Sequence, residues 1–443
     1  MRWLKEEQLR PKMSDGRAPA SRAPIATGSY RGVRAGSREQ QAMKILLITT
    51  TYPTPARPRQ GAFNGALVAA LSARHDVRVI AQIPWTQSAP GTAQPADHTP
   101  IQYPAYYYPP KILRPYHHHF YWWSIQPALR SLEREFTPDI VMGYWLHPDG
   151  AAAVSVAQRY GVPAVVMSGG TDIRVLTRER RRCRAIARVL GRADRLVVFS
   201  RELATQACRL GIPGDKVDVV YRGVQRECFC PVGQDESRRA CGLPRDAVIL
   251  LWAGRFEPVK DPALLLHAAV RWKREWGPAL RVIMAGAGPL RRRLLQLRHQ
   301  LGLHDTVVLV GDLTQRQLAL HFCAADRTVL TSCSEGIPNV LLESIACGIP
   351  FVATDVGGIA EIASPGIDQL VPAGDANALA ETVIRSMRTE LAADRTFVPT
   401  DLPGMADQFD LVLARLPRGR AVTVRSPLGF TTAQRATAGT PMV

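Results

Sequence analysis

From Met43 onward, short continuous apolar runs alternate with segments of helical period. The first series is MKILLITT (43–50), DVRVIAQI (76–83), DIVMGYW (139–145), PAVVMSGG (163–170), RLVVFS (195–200) and KVDVVYRG (216–223). Runs that stay apolar throughout, rather than alternating, fit parallel strands buried on both faces by crossover helices. A polar stretch at 224–245 interrupts the pattern and is expected to link two domains. The series then restarts with AVILLWAGR (247–255), LRVIMAGAG (280–288), TVVLVG (306–311), RTVLTS (327–332) and PFVATD (350–355). The expected class is α/β, with two Rossmann-like, doubly wound parallel-sheet domains at 43–223 and 246–388. Residues 389–443 are expected to be a weakly structured tail with one helix near QFDLVLARL (408–416). Ligands of such sheets bind outside the carboxyl ends of the strands. Two sheets facing each other therefore put the site in the cleft between them.

Composition narrows the class. With 443 residues, 46% hydrophobic and 21% charged, the chain can bury two cores. No apolar run approaches the roughly 18 residues of a membrane span. The net charge is +18, and much of it is terminal. Residues 1–42 hold nine Lys/Arg against four Asp/Glu, and residues 416–443 hold four Arg and no acid. The N-terminal stretch has no apolar h-region, so it is expected to be a basic, disordered extension rather than a secretory signal. The remaining excess suits phosphorylated ligands or an anionic membrane surface. No nucleic-acid motif accompanies it, so no nucleic-acid partner is expected. The eight cysteines form no CxxC pair and are read as reduced packing thiols. The expected location is cytoplasmic, with peripheral contact at the inner face of the plasma membrane.

Candidate chemistry concentrates in the second series. AVILLWAGRFEPVKD leads from a buried strand into Gly254, Arg255 and Lys260. Two cations beyond a strand's carboxyl end can neutralise a phosphate, although a plain surface loop would carry the same residues. MAGAGPL (284–290) adds a Gly-rich turn. In EGIPNVLLE (335–343), Gly336 permits a tight turn and Pro338 suits a first helical position. Gly348-Ile349-Pro350 supplies a helix end. Free N–H groups near Ile337, Asn339 and Val340 would bind phosphate at the positive end of that helix. Glu335 would precede the helix while Glu343 lies on its second turn, so the two acids can border one ligand from different sides.

Together these motifs resemble the retaining GT-B glycosyltransferases of family four. AGRFEPVKD, AGAGPL, VGDL, SEGIPNVLLESIACGIPFVATDVGGIAEI and LVPAGDANALAETV carry nearly the whole second-domain signature, including the family's E-x7-E motif. The resemblance implies that Arg255 and Lys260 bind the donor diphosphate. It further implies that Glu335 holds the transferred sugar and Glu343 the ribose. Asn339 and Val340 would contact phosphate, Val310 and Gly311 would border the base, and Gly288 would lie close to the nucleotide. In the first domain, TYPTPARPRQGAFN (51–64) resembles the family's first strand–helix turn, with Gly61 toward the diphosphate and Asn64 on the acceptor side. GYWLHPDGAAA (143–153) resembles a motif whose histidine faces the reacting sugar, here His147. SGGTDI (168–173) resembles a His-Gly-x-Asp turn with Ser168 in place of His, and Asp172 is kept as an acceptor-side candidate.

The implied reaction moves a sugar from a nucleoside-diphosphate donor, UDP-sugar being expected, to a glycan or polyprenyl-linked glycan. No Asp-x-Asp occurs in the chain, so no metal and no other cofactor is expected. YYYPPKILRPYHHHFYWW (106–123) either lines an acceptor or lipid-facing groove or is a packed loop. TRERRRCRAIARVLGR (177–192) either contacts anionic lipid or is a solvated charged face. Two other readings stay open: a GT-B epimerase or phosphorylase, and a basic membrane- or nucleic-acid-binding protein without transfer activity.

Overall fold

The structure, a computed structural model, describes residues 42–417 apart from 55, 59, 87–99, 110 and 111. The basic extension, except for residue 42, and the end of the expected tail lie outside the described residues.

Two parallel sheets organise the chain, with their strands close to the expected runs. The first domain contributes β1 (Lys44–Thr49), β2 (Asp76–Ala81), β3 (Ile83–Pro84), β4 (Ile101–Gln102) and β5 (Ala105–Tyr106). It continues with β6 (Ile140–Tyr144), β7 (Ala164–Ser168), β8 (Arg195–Val198) and β9 (Val217–Val219). Seven of these form a sheet in the order β4-β2-β1-β6-β7-β8-β9, while β3 and β5 pair separately. The second domain contributes β10 (Val248–Ala253), β11 (Leu280–Ala285), β12 (Val307–Gly311), β13 (Arg327–Leu330), β14 (Phe351–Thr354) and β15 (Gln369–Val371). Their order is β12-β11-β10-β13-β14-β15.

Alternation along each strand feeds two cores per domain. In β1, Leu46 and Ile48 pack toward the helices His117–Leu132 and Asp149–Tyr160, whereas Ile45 and Leu47 pack toward Ala62–Ser72. In β10, Ile249 and Leu251 face the helix Asn339–Ala346, and Leu250 and Trp252 face Pro262–Trp276. Both faces of each sheet are thus covered, which is why the strands read as unbroken apolar runs.

Two expected boundaries differ from the structure. Residues 224–245 are not a linker. Val220 is buried in the first domain's core and Val224 already in the second's, so the chain crosses within a few residues. Phe229 fills the second core, and the helix Gln234–Ala240 packs on Gln315–Ala324. Arg238 fixes that helix with two 2.9 Å bonds to the carboxylate of Asp326. Its polar composition hides an element held by one bidentate ion pair. The expected weak tail also carries a firmly packed helix, Leu402–Ala414, which crosses back onto the first domain. Met405, Ala406, Phe409, Val412 and Leu413 complete the core beneath β1. Asp410 accepts from Arg74 (2.7 Å) and pairs with His75 (2.8 Å), and Arg415 bonds Asp218 (2.8 Å).

A second clasp spans the cleft. The Glu361 carboxylate accepts from the backbone N–H groups of Arg201 (2.9 Å) and Glu202 (2.8 Å), which open the helix Arg201–Arg209. The hydroxyl of Tyr221, at the crossing between domains, donates to the same carboxylate at 3.0 Å.

Because Phe409 is fully buried in the first domain's core, Phe409→Ala should destabilise that domain by about 3–5 kcal/mol. Urea unfolding followed by tryptophan fluorescence and far-UV circular dichroism measures this. A peripheral, weakly held tail would instead show almost no change.

Candidate active site

The carboxyl ends of β10 and β13 bring together two of the expected residues. The turn after β10 reaches Lys260, and Asp261 then caps the helix 262–276 through the N–H of Leu264. That turn is stitched to the segment after β13: Thr331 Oγ1 donates to Lys260 O (2.9 Å) and Cys333 N to Val259 O (2.8 Å). Lys260 Nζ is thereby held 2.5 Å from Glu335 Oε1, which also accepts from Ser332 Oγ at 2.6 Å. The Glu335 side chain is 9% exposed and that of Lys260 23%, so this pair sits in a partly dehydrated corner. Arg255, 69% exposed, pairs with Glu257 at 2.6 Å and stands apart from it.

Glycines shape the surrounding turns. Gly288 has φ +156°, and a Cβ there would lie 2.6 Å from Phe256 O, so the 286–290 turn closes onto the segment after β10 only with glycine. Gly254 N donates to Ala285 O (3.0 Å), and Gly286 N to Gly311 O (2.7 Å) beside Val310 at the end of β12. Gly61, at φ +69°, starts the helix 62–72 with its Cα against Thr51. Gly336 faces the first domain, where a Cβ would meet Gly169 O at 3.2 Å.

The helix after Glu335 starts one residue later than expected. Pro338 is the extended cap, and Asn339 is the first helical residue, followed by Val340. No side chain caps this helix, so N–H groups at its start remain available beside buried Ile337. On its second turn, Glu343 joins Asn339, Asn64, Phe63, Arg222 and Gln315 around a cavity of about 80 Å³ between the domains. Among the described residues, shielded Glu343 Oε2 has no partner, and burial pushes the carboxyl up to about 7. Asn64 donates to Thr51 O (2.7 Å), while its Oδ1 likewise has no partner among the described residues. Each domain thus contributes one such polar atom to the residues around the cavity.

His147 follows β6. Its Nε2 lies 3.1 Å from Nδ1 of His118 on the helix 117–132, and burial lowers its pKa to about 3. Asp172 differs from the expectation of an acceptor contact. It is fully buried, its Oδ2 accepts from Leu146 N (2.8 Å) and its Oδ1 from Ser168 Oγ (2.5 Å). It therefore positions the His147 loop, and Ser168 completes that clasp. Next to His147, Asp149 accepts from Thr50 N, has an Oδ2 without a partner among the described residues and is pushed up to about 7 by burial.

Comparison with known proteins matches this architecture. Residues 233–396 match the family Glycosyl transferases group 1, and residues 62–227 match Glycosyltransferase Family 4. The chain belongs to the group 1, family-four type of GT-B glycosyltransferases. It is 28% identical to the putative teichuronic acid biosynthesis glycosyltransferase TuaC of Bacillus subtilis, over 77% of this chain and 89% of that protein. It is 38% identical to a D-inositol 3-phosphate glycosyltransferase of Thermomonospora curvata, over 49% of this chain and 55% of that protein. Across the relatives bearing that second name, it spans between 48% and 64% of their length. Among solved structures, the Anabaena Alr3699/HepE complex with UDP and glucose superposes with a TM-score of 0.64 at 18% identity, over 84% of this chain and 99% of that one. Sucrose-phosphate synthase of Thermosynechococcus elongatus gives 0.69 at 20% identity, over 84% and 98%.

Sequence reasoning about this glycosyltransferase missed Ser332, Gln315, Arg222, His118 and Glu361. Ser332 is three residues from Glu335 and ends the apolar run RTVLTS (327–332), so proximity alone could have flagged it. Arg222 is held by the ring faces of Phe63 (4.1 Å) and Phe199 (4.2 Å) and by Tyr144 Oη (2.7 Å), a set no local pattern announces.

Glu343 generates a test with a definite sign. Its folded pKa is raised from 4.5 to about 7, so the folded state binds the extra proton and stability falls as pH rises across that window. Glu343→Gln removes this cost. It should flatten the pH dependence of thermal melting between those values and melt no lower than wild type at alkaline pH.

Proposed function

We propose that the protein is a retaining glycosyltransferase that moves a sugar from a nucleoside-diphosphate donor to a glycan or polyprenyl-linked glycan in cell-surface polysaccharide synthesis. UDP-sugars are the first donors to test. The observation that carries this reading is the 2.5 Å contact of Lys260 with Glu335, beside the uncapped start of the helix 339–346. A cation, a carboxylate and free N–H groups meet at the carboxyl ends of β10 and β13. The UDP and glucose held by Alr3699/HepE support a uridine donor, and TuaC's name supports a polysaccharide product.

Leaving-group departure breaks the bond between the sugar's anomeric carbon and the diphosphate, and charge develops on the phosphate. Lys260 turns from Glu335 to that charge, Arg255 joins it from the exposed side, and the N–H groups of Asn339 and Val340 stabilise it from the helix start. Glu335, released, accepts from the sugar hydroxyls and fixes the anomeric carbon. Glu343 accepts from the ribose. The acceptor hydroxyl attacks from the face that the diphosphate leaves, and the departing phosphate oxygen takes its proton. His147, neutral at cell pH because of its lowered pKa, contributes a hydrogen bond to the reacting sugar rather than a proton transfer. These side chains and N–H groups replace a divalent metal as the electrostatic partner of the diphosphate.

Nucleotide release measured with UDP-, GDP- and ADP-sugars, with and without EDTA, tests the reading. A strong preference for one donor, unchanged by EDTA, is the expected result. Glu335→Ala should lower transfer at least 100-fold, about 3 kcal/mol of transition-state stabilisation, with melting little changed. Turnover that ignores the donor, or that survives loss of Glu335, overturns the assignment.

A further inference from the structure

The aromatic segment of the first domain is divided by the fold into an inner and an outer half. Tyr106 and Tyr121 are buried, with rings 5.1 Å apart. Trp123, by contrast, is 69% exposed, Tyr107 62% and Ile112 61%, and Leu113, Tyr116 and Trp85 are exposed with them. Local bonds tie these residues into one surface. Trp85 Nε1 donates to Tyr108 O (3.0 Å), Tyr107 N to Ser124 Oγ (3.1 Å), and His117 Nε2 meets Ile112 O (3.0 Å). Scattered apolar side chains are ordinary on a protein surface, but a cluster rich in Trp, Tyr, Ile and Leu marks a contact face.

A cationic helix borders that face. Arg180–Arg192 buries Ala185, Ile186, Val189 and Leu190 and packs beside the turn Arg114–Tyr116. It exposes Arg180, Arg181, Arg184, Arg188 and Arg192 to solvent. Arg182 and Arg114 are close enough to act electrostatically on His117, and Arg188 on His118. Acids are nearly absent: from Ile101 to Leu132 there is no Asp or Glu, and between Arg174 and Arg192 only Glu179, which pairs with Arg182. A protein partner of mixed charge would leave these arginines uncompensated. An anionic lipid surface matches both halves, because the aromatic and aliphatic tips enter the headgroup boundary while the arginines meet phosphates.

The geometry points to a membrane-docking surface, formed by Trp85, Tyr107, Ile112, Leu113, Tyr116 and Trp123 and flanked by the arginine helix, that seats the first domain on an anionic bilayer. The helix 117–132 that carries Trp123 also carries His118, 3.1 Å from His147, so docking brings the bilayer next to the acceptor side of the cleft. That service to catalysis rests on the acceptor being lipid-linked. The docking itself does not depend on it and is measured without any sugar donor.

Full-length protein is sedimented with vesicles of phosphatidylcholine alone and with vesicles containing about one third phosphatidylglycerol. Wild type should partition onto the anionic vesicles only. The triple variant Ile112→Ser, Leu113→Ser, Trp123→Ser should lose at least tenfold in partition. Arg180→Glu with Arg184→Glu should lose the preference for anionic lipid. Melting temperatures and transfer to a detergent-soluble acceptor should stay near wild type, because none of these residues lies in the candidate active site. No partition by wild type overturns the proposal. So does equal partition by every variant, which would assign binding to the basic termini. Concentration-dependent dimerisation in analytical ultracentrifugation that disappears in the triple variant would instead make the face an interface between copies and overturn it.

Discussion

The cleft geometry depends on one carboxylate. Glu361 belongs to the second domain, yet its oxygens rest on two backbone N–H groups at the start of the first domain's helix 201–209. A negative charge meets the positive end of a helix dipole there and satisfies donors that a helix otherwise leaves open. Tyr221, at the crossing between domains, donates to the same group. Three residues earlier, Gly358 N donates to Gly336 O at 2.9 Å, and a Cβ on Gly357 would collide with Glu335 O. The segment holding Glu335 is therefore positioned against the first domain by the same short stretch that the clasp anchors. The helix 402–414 works at the same crossing, where Gln408 Oε1 accepts from Tyr221 N at 3.1 Å. It buries an apolar face under the first sheet and so ties the chain that leaves the second domain to the first domain's core.

Several groups in the cavity and in the segment after β6 sit where burial opposes their ordinary charge. Glu343 and Asp149 are both pushed up to about 7, and each keeps one oxygen without a partner among the described residues. His147 is held neutral. Such arrangements cost stability and recur where a ligand is meant to complete the hydrogen bonding. Lys260 and Glu335 solve the same difficulty differently, since each serves as the other's partner. Asp172 shows the contrast. Its oxygens are fully used by Leu146, Ser168 and Ile173, and it works as a brace rather than a binding group.

Much of the fold was legible because the strands are covered on both faces, and such strands leave uninterrupted apolar runs. The helix around EGIPNVLLE was legible because turn and helix-end chemistry is local. The helix 234–240 escaped notice since its sequence, QDESRRA, is polar, and its anchor, Asp326, lies 88 positions from Arg238. The helix 402–414 was partly seen, but its firmness was not, because its apolar residues have no partner nearby in the chain. The segment 106–123 posed a different problem. Its final stretch, Tyr116–Trp123, is aromatic or His at every position, so no periodicity separates inward from outward positions, and only packing puts Tyr121 inside and Trp123 outside.

By itself, the sequence determined the fold class, the strands and the residue types able to meet a sugar diphosphate, since each follows from local periodicity, turn chemistry and motif spacing. The tertiary structure decided which of those residues meet. Lys260 and Glu335 are 75 positions apart, and Glu361 and Arg201 are 160 apart. Contacts over such separations depend on how two sheets face each other. No local pattern encodes them, and they exist only once both cores have formed and the chain has crossed back.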